Sequence, residues 1–236
     1  MNISFVAQHL DPSFPPPVAA SKKIPEWYKD LPRYIGGEKK PHADDSGSTN
    51  ATIKTCMPVL DTLTSGYLIL SSSDAYITKK EEGRFYNWAS NDLVTFHGQN
   101  QLTGYPKLSK NMKNENLPKF TNTWIVKTPK NYPCLFITPM HHDLPFTILP
   151  GIVDTDNYFN AINFPFIPDP DFEGLIPRGT PIAHVIPFCR ESWKMSIDSI
   201  ENSKEAQKDL FHSLGVLKSS FFDKYKKNYW VTKEFK

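Results

Sequence analysis

Proline sets the strongest constraint on what this chain can fold into. Twenty-one prolines are spread over 236 residues, against only eleven glycines. A proline breaks a helix interior and removes a ladder donor from a central strand. A chain punctuated this often is not built from long helices or long sheets of uninterrupted strands. Between the breaks lie short runs rich in β-branched and aromatic residues, bounded by Pro, Gly, Asn, Asp or Ser: Tyr67–Leu70, Ala75–Thr78, Arg84–Trp88, Leu93–His97, Thr123–Lys127, Cys134–Thr138, Phe146–Leu149, Ala161–Phe164, Ile182–Phe188 and Trp193–Ile197. About ten strands at such spacing predict a mostly β fold, a sandwich, jelly roll or barrel. Hydrophobic residues at 39% and aromatics at 13% suffice for a packed interior.

The organisation predicted along the chain has three parts. Residues 1–50 read as a Pro-rich N-terminal arm and flexible loop. Pro12 to Pro17 favours extended backbone, Pro25 suits the first turn of a short helix that Trp27 and Tyr28 dock, and residues 36–50 are polar and aperiodic. Residues 51–198 form the β-domain, with 98–122 as a polar excursion or lid. From Ser199 the period becomes helical, with Leu210, Leu214, Leu217, Phe221 and Tyr225 at three- and four-residue steps and Ser203 as a cap. Residues 199–236 are therefore a C-terminal amphipathic helix and tail, packed across a sheet or held against another subunit.

Composition narrows the function. A formal charge of +2 argues against a broad nucleic-acid surface, and the basic, aromatic tail after Lys224 is too short to make one. Cys56, Cys134 and Cys189 are odd in number and form no CxxC pair, so buried reduced thiols are expected rather than disulfides or a structural zinc. The N-terminus lacks a basic, apolar leader, and no run approaches the roughly 18 apolar residues of a membrane span. The expected compartment is cytoplasmic, or the host cytoplasm or virion for a phage product.

Two stretches carry a family resemblance. Leu149 to Tyr158 reads LPGIVDTDNY, and Ile176 to Phe188 reads IPRGTPIAHVIPF. This pair resembles the dUTPase and dCTP deaminase superfamily, whose pattern is roughly G-[VI]-[IV]-D-x-D-Y-R-G, then G-x-x-I-A-Q-[LV]. A weaker echo of the family's first motif runs from Pro58 to Ser71, where Ser65, Gly66 and Tyr67 fit and Leu68 replaces the expected Asp. The resemblance implies a β-clip or jelly-roll fold and a β-hairpin that receives a nucleoside. It also implies Asp154 orienting a water, Tyr158 packing beneath a sugar, a Mg ion if hydrolysis occurs, and a homo-oligomer, a trimer by analogy. The family's Arg-Ser-Gly phosphate motif is replaced by Met140-His141-His142-Asp143-Leu144-Pro145, and its Gly-rich C-terminal arm is absent. The start Pro25-Glu26-Trp27-Tyr28-Lys29, Lys54 to Pro58 and Pro150 to Phe188 also resemble an uncharacterised family of tailed phages and some bacteria, which implies no activity.

A second constellation competes. His141-x-Asp143 with His184 matches the H-x-D…H facial triad of iron(II) oxygenases, because residues two apart on a strand share a face. Arg190-Glu191-Ser192 then reads as the R-x-S that grips 2-oxoglutarate. The expectation drawn from all of this is a phage-type, dUTPase-like β-protein without a complete nucleotide-hydrolase site. It would need no cofactor and would act as a structural or binding module that self-associates, with a virion or host protein as a further partner. The alternatives are an oxygenase using Fe(II), 2-oxoglutarate, His141, Asp143, His184, Arg190 and Ser192, or a divergent hydrolase using Asp154.

Overall fold

The computed structural model describes residues 1–8, 14–39, 50–88, 94–105, 112, 115–217 and 221–236, with backbone only at 99, 102, 217, 221 and 222. The chain is mostly β. In order it forms β1 (Ser4–Ala7), β2 (Val18–Ala19), α1 (Glu26–Asp30), α2 (Met57–Thr64), β3 (Tyr67–Leu70), β4 (Ala75–Lys80), β5 (Gly83–Trp88), β6 (Val94–His97), β7 (Leu117–Phe120), β8 (Trp124–Lys127), β9 (Cys134–Ile137), β10 (Phe146–Ile148), β11 (Gly151–Val153), β12 (Phe164–Pro168), β13 (Gly174–Ile176), β14 (Pro181–Pro187), α3 (Lys204–Leu217) and α4 (Phe221–Asn228).

Among the described residues every strand pairing is antiparallel. The sheets run β1-β8, β10-β12-β7-β6, β11-β9-β14-β3-β2 and β13-β4-β5. The prolines show how the ladders end. Pro118 lies within β7, and the β7–β12 ladder stops at Pro165↔Lys119, one residue short of it. A missing N–H is tolerated where pairing ceases.

One apolar core joins strands of all the larger sheets, including Ile69, Ile77, Phe120, Phe136, Phe146, Phe166, Ile176 and Val185. Phe120 stacks on Phe166 at 4.0 Å, and Phe146 meets both edge-on at 5.0 and 5.7 Å. Pro181–Val185 is buried throughout because β14 is a central strand with β9 on one side and β3 on the other. The IPRGTPIAHVIPF stretch thus lies beside the weaker echo in β3, with Val185 opposite Tyr67. The turn into β3 needs Gly66. Its φ is +77°, and a Cβ there would fall 2.4 Å from the Val185 carbonyl oxygen.

The chain divides into two compact units. The first is Met1–Lys23 with Gly66–Arg190, and the second is Ile24–Ser65 with Glu191–Lys236. The division expected from sequence character alone has its breaks at residues 50 and 198. The N-terminal arm is not irregular throughout: Ser4–Ala7 pairs with β8 and Val18–Ala19 with β3. The flexible loop predicted for 36–50 falls largely outside the described residues, as do 106–111, 113 and 114 of the 98–122 excursion, in which Leu117–Phe120 is β7.

The second unit holds α1, α2 and the C-terminal helices. Tyr28 is buried while Trp27 stays 41% exposed, so one of the two expected anchors docks. Pro58 sits in the first turn of α2, a position that costs no hydrogen bond. Asp61 on α2 accepts from Trp230 Nε1 at 3.0 Å and from Lys233 Nζ at 2.7 Å, tying the tail to this helix. Lys39 pairs with Asp223. Ser203 Oγ accepts from the Ala206 N–H at 3.1 Å and caps α3. Of the predicted apolar seam of that helix, Leu210 and Leu214 are 42% and 56% exposed and Tyr225 is half-buried, while the side chains of Leu217 and Phe221 lie outside the described residues.

The predicted strand at Trp193–Ile197 does not form. Its alternation suits a strand, but a strand needs a neighbouring edge, and among the described residues this stretch enters no sheet.

Candidate functional site

The acidic segment after β11 is built around one turn. Pro129–Tyr132 closes with the Tyr132 N–H on the Pro129 carbonyl at 3.1 Å, and Asn131 adopts φ +72°. Asn is among the residues that accept this left-handed conformation most readily. The conformation aims the Asn131 N–H at Asp156 Oδ2, 2.9 Å away, while its carbonyl accepts the Arg190 N–H at 2.8 Å. Facing it, the Asp154 carbonyl accepts the N–H groups of both Asn157 and Tyr158 at 2.8 Å. Thr155 points inward. It is 2% exposed, and its Oγ1 lies 2.7 Å from Thr128 Oγ1 and 3.3 Å from Cys134 Sγ.

With Thr155 fixed in the core, the two flanking carboxylates converge on Arg190. Its Nη1 and Nη2 grip both oxygens of Asp156 at 3.0 and 2.8 Å, and Nη2 also donates to Asp154 Oδ1. Asp156 is enclosed, its side chain 1% exposed, whereas Asp154 and Arg190 are 60% and 40% exposed. The Arg190 guanidinium, helped by the Asn131 N–H, holds the Asp156 carboxyl down at about 2. Asp156 and then Asp154 push the guanidinium upward in return. This is a fork-on-carboxylate clamp, among the strongest hydrogen-bonded ion pairs a protein makes.

Several of the residues singled out in the sequence lie in this clamp or next to it. Arg190, read from sequence as a 2-oxoglutarate ligand, is engaged by two carboxylates. Ser192 lies in the exposed stretch after it. Asp154 belongs to this ion-paired triad, and Tyr158 beyond it is 48% exposed. The turn does not close a hairpin either: β11 pairs with β9, while the next strand, β12, pairs with β10 and β7 in a different sheet. Asp156 and Asn131 were missed as a pair. Only the D-x-D spacing hinted at two carboxylates sharing a face, and the chain distance to Asn131 and Arg190 hid their partners.

The histidines do not form the expected triad. Among the described residues no group of three or more His, Cys, Asp or Glu side chains is placed to hold a metal ion. The reason is local: His141 occupies a turn with φ +62°, and Asp143 follows in exposed coil, so strand parity does not apply to them. His184 is buried at 1% in the middle of β14. His142 is half-buried, and burial, followed by the neighbouring His184, Lys23 and His141, lowers it to about 4, which leaves it neutral near pH 7.

A cavity of about 310 Å³ lies elsewhere in the first unit, lined by Arg84, Phe85, Tyr86, Phe96, Glu115 and their neighbours. Arg84, its side chain 4% exposed, meets Glu115 at 3.2 Å and the Pro170 carbonyl at 3.0 Å. Burial, then Glu115, pushes the Tyr86 hydroxyl upward. None of these residues stood out in the sequence. The alternation of Arg84, Tyr86 and Trp88 along β5 was the available signal.

No family model and no curated protein matches this chain. Among solved structures, it is similar to a dUTPase variant of Staphylococcus bacteriophage 80alpha solved with dUpNHpp, at 13% identity and TM-score 0.32, over 59% of this chain and 78% of that one. It is also similar to a dUTPase variant from phage phi11 of S. aureus, at 12% identity and TM-score 0.31, over 59% of this chain and 85% of the other. At these scores the likeness is too loose to carry a family or an activity to this chain.

Proposed function

We propose that this chain is a phage-type, dUTPase-like β-module without a working nucleotide-hydrolase site, and that it serves as a self-associating structural or binding protein. The observation that carries this reading is the Arg190 clamp. Nucleotide hydrolysis needs a cation left for the phosphates beside the carboxylate that orients the water. Here Asp154 shares its charge with Arg190, and the same guanidinium is occupied on both oxygens of Asp156. The clamp suits a structural joint between the turn after β11 and the end of the first unit.

The test is direct. The protein is incubated with dUTP and the other deoxynucleoside triphosphates in the presence of Mg, and pyrophosphate release and melting temperature are followed. The expected result is no turnover above buffer and no rise in melting temperature, since a ligand at 100 times its Kd would add about 2.7 kcal/mol. Turnover that disappears in Asp154→Asn would overturn the reading.

A further inference from the structure

We propose that the cavity lined by β5 and β6 binds a small organic cation, an amine carried on an apolar body. The site shares no residue with the Arg190 clamp and does not depend on self-association.

The cavity lies where two sheets end. β5 is an outer strand of β13-β4-β5, and β6 is an outer strand of β10-β12-β7-β6. Among the described residues neither pairs on its other side, and both contribute lining: Arg84 and Tyr86 from β5, Phe96 from β6. Glu82 lines it from the β4–β5 turn, and Glu115 and Asn116 from the approach to β7. Gly83, at φ +131°, brings that turn against Glu115, since a Cβ there would stand 3.5 Å from Glu115 Cγ. The volume of about 310 Å³ is that of a compact small-molecule site.

The charges of the lining decide the sign of the ligand. Arg84 is turned inward, its side chain 4% exposed. Its Nη1 donates to both oxygens of Glu115 at 3.3 and 3.2 Å, and Nη2 to the Pro170 carbonyl at 3.0 Å. A guanidinium buried and engaged in this way is not open to an anionic ligand. Glu115 keeps 20% of its side chain exposed, and Glu82 is exposed and enters no ion pair among the described residues. Two carboxylates against one buried guanidinium leave the lining net negative. The lysines of the same hairpin are engaged elsewhere. Lys79 meets Asp171 at 3.7 Å, and Lys80 Nζ is held 4.8 Å from the centroid of the Phe85 ring.

The aromatic lining favours the same sign. The face of an aromatic ring is negative and attracts an ammonium within about 6 Å. Phe96 is 44% exposed, and it meets Tyr86 at 5.5 Å and 66°, so the two rings are not stacked face on face. Tyr86 adds an oxygen. Its hydroxyl is buried with no hydrogen-bond partner among the described residues, whereas buried hydroxyls are normally paired. Rings together with carboxylates match an amine whose ammonium reaches Glu82 and Glu115 and whose body rests against Phe96.

The probe is benzylamine, titrated calorimetrically into the full chain, with benzyl alcohol and benzoate as neutral and anionic molecules of similar size. The expected result is saturable binding of benzylamine alone, with a Kd on the order of 1 mM, as suits so small a ligand. Glu82→Gln removes the exposed carboxylate, and Phe96→Leu removes the ring while keeping an apolar side chain. Each should weaken binding about tenfold. Both side chains are exposed, and circular dichroism checks that each variant keeps the fold. Should one misfold, the other still decides. Benzylamine that fails to saturate by about 20 mM overturns the proposal. So does binding that is unchanged in a correctly folded variant, which puts the amine elsewhere on the protein. Benzyl alcohol or benzoate binding as tightly as benzylamine overturns the charge argument and the proposal with it.

Discussion

Replacing Gly66 with alanine should destabilise the first unit by about 2–4 kcal/mol, and the structure gives each contribution. The residue sits at φ +77°. Holding a Cβ in the left-handed region costs about 1–2 kcal/mol. The new methyl would also stand 2.4 Å from the Val185 carbonyl oxygen, with Ile186 Cγ1 at 3.2 Å and His184 Nε2 at 3.3 Å. The oxygen is backbone in a central strand, so it cannot swing aside as a side-chain tip would. Forced overpacking of this kind costs about 1–3 kcal/mol. The stiffer unfolded chain returns about 0.4–1 kcal/mol. Urea unfolding, followed by the β-sheet circular dichroism signal, measures the net. With a slope of about 1–3 kcal/mol per molar, the midpoint should fall by roughly 1–2 M. Gly215→Ala in α3 is the control, since a Cβ added there would meet nothing within 4 Å. That change should be neutral to stabilising by up to about 1 kcal/mol. A Gly66→Ala midpoint within about 0.2 M of wild type, at an unchanged slope, would refute the steric reasoning.

Other outcomes follow from the sites described. Asp156 is depressed from 3.8 to about 2 in the folded chain. Its contribution is therefore complete above about pH 4 and disappears as pH falls through about 2, and acid unfolding of Asp156→Asn should lack that component. Glu115→Gln leaves the Arg84 guanidinium buried without its carboxylate, so it should cost about 3–5 kcal/mol in denaturant titrations. Phe166→Ala removes the ring stacked on Phe120 and should cost about 3–5 kcal/mol by the same measurement. Asp61→Asn weakens the hold on Trp230 and Lys233, and the fluorescence of a protein retaining only Trp230 should shift to the red as that indole meets water.

The strands were legible wherever burial and alternation coincided. Tyr67–Leu70 and Cys134–Ile137 announce themselves because their residues face a shared core. Short edge strands such as Gly151–Val153 and Gly174–Ile176 were not, because three residues carry no period and depend on the neighbour they join. Helix α2 was missed for a related reason: Pro58 and a single helical stretch of eight residues look like a strand boundary when neighbours are strands. At the candidate site, Asp154 was visible and its chemistry was not. What decides that chemistry is Arg190, 36 residues away along the chain, and no local pattern encodes such a contact. His141 and Asp143 lie outside any strand, so the parity argument that paired them with His184 does not apply to them.

The interleaving of the two units has a consequence for synthesis. The second unit is assembled from Ile24–Ser65 and Glu191–Lys236, separated by the whole of Gly66–Arg190. At ribosomal speeds of about 5–20 residues per second, Asp61 emerges on the order of 10–35 s before Trp230 and Lys233 are made. Through that interval α2 lacks the partners that hold it, while β3 and β14 close the first unit around Gly66. The nascent chain thus completes the first unit before the second, and the segment that carries Trp193 leaves the ribosome last but for the helices and tail that follow it.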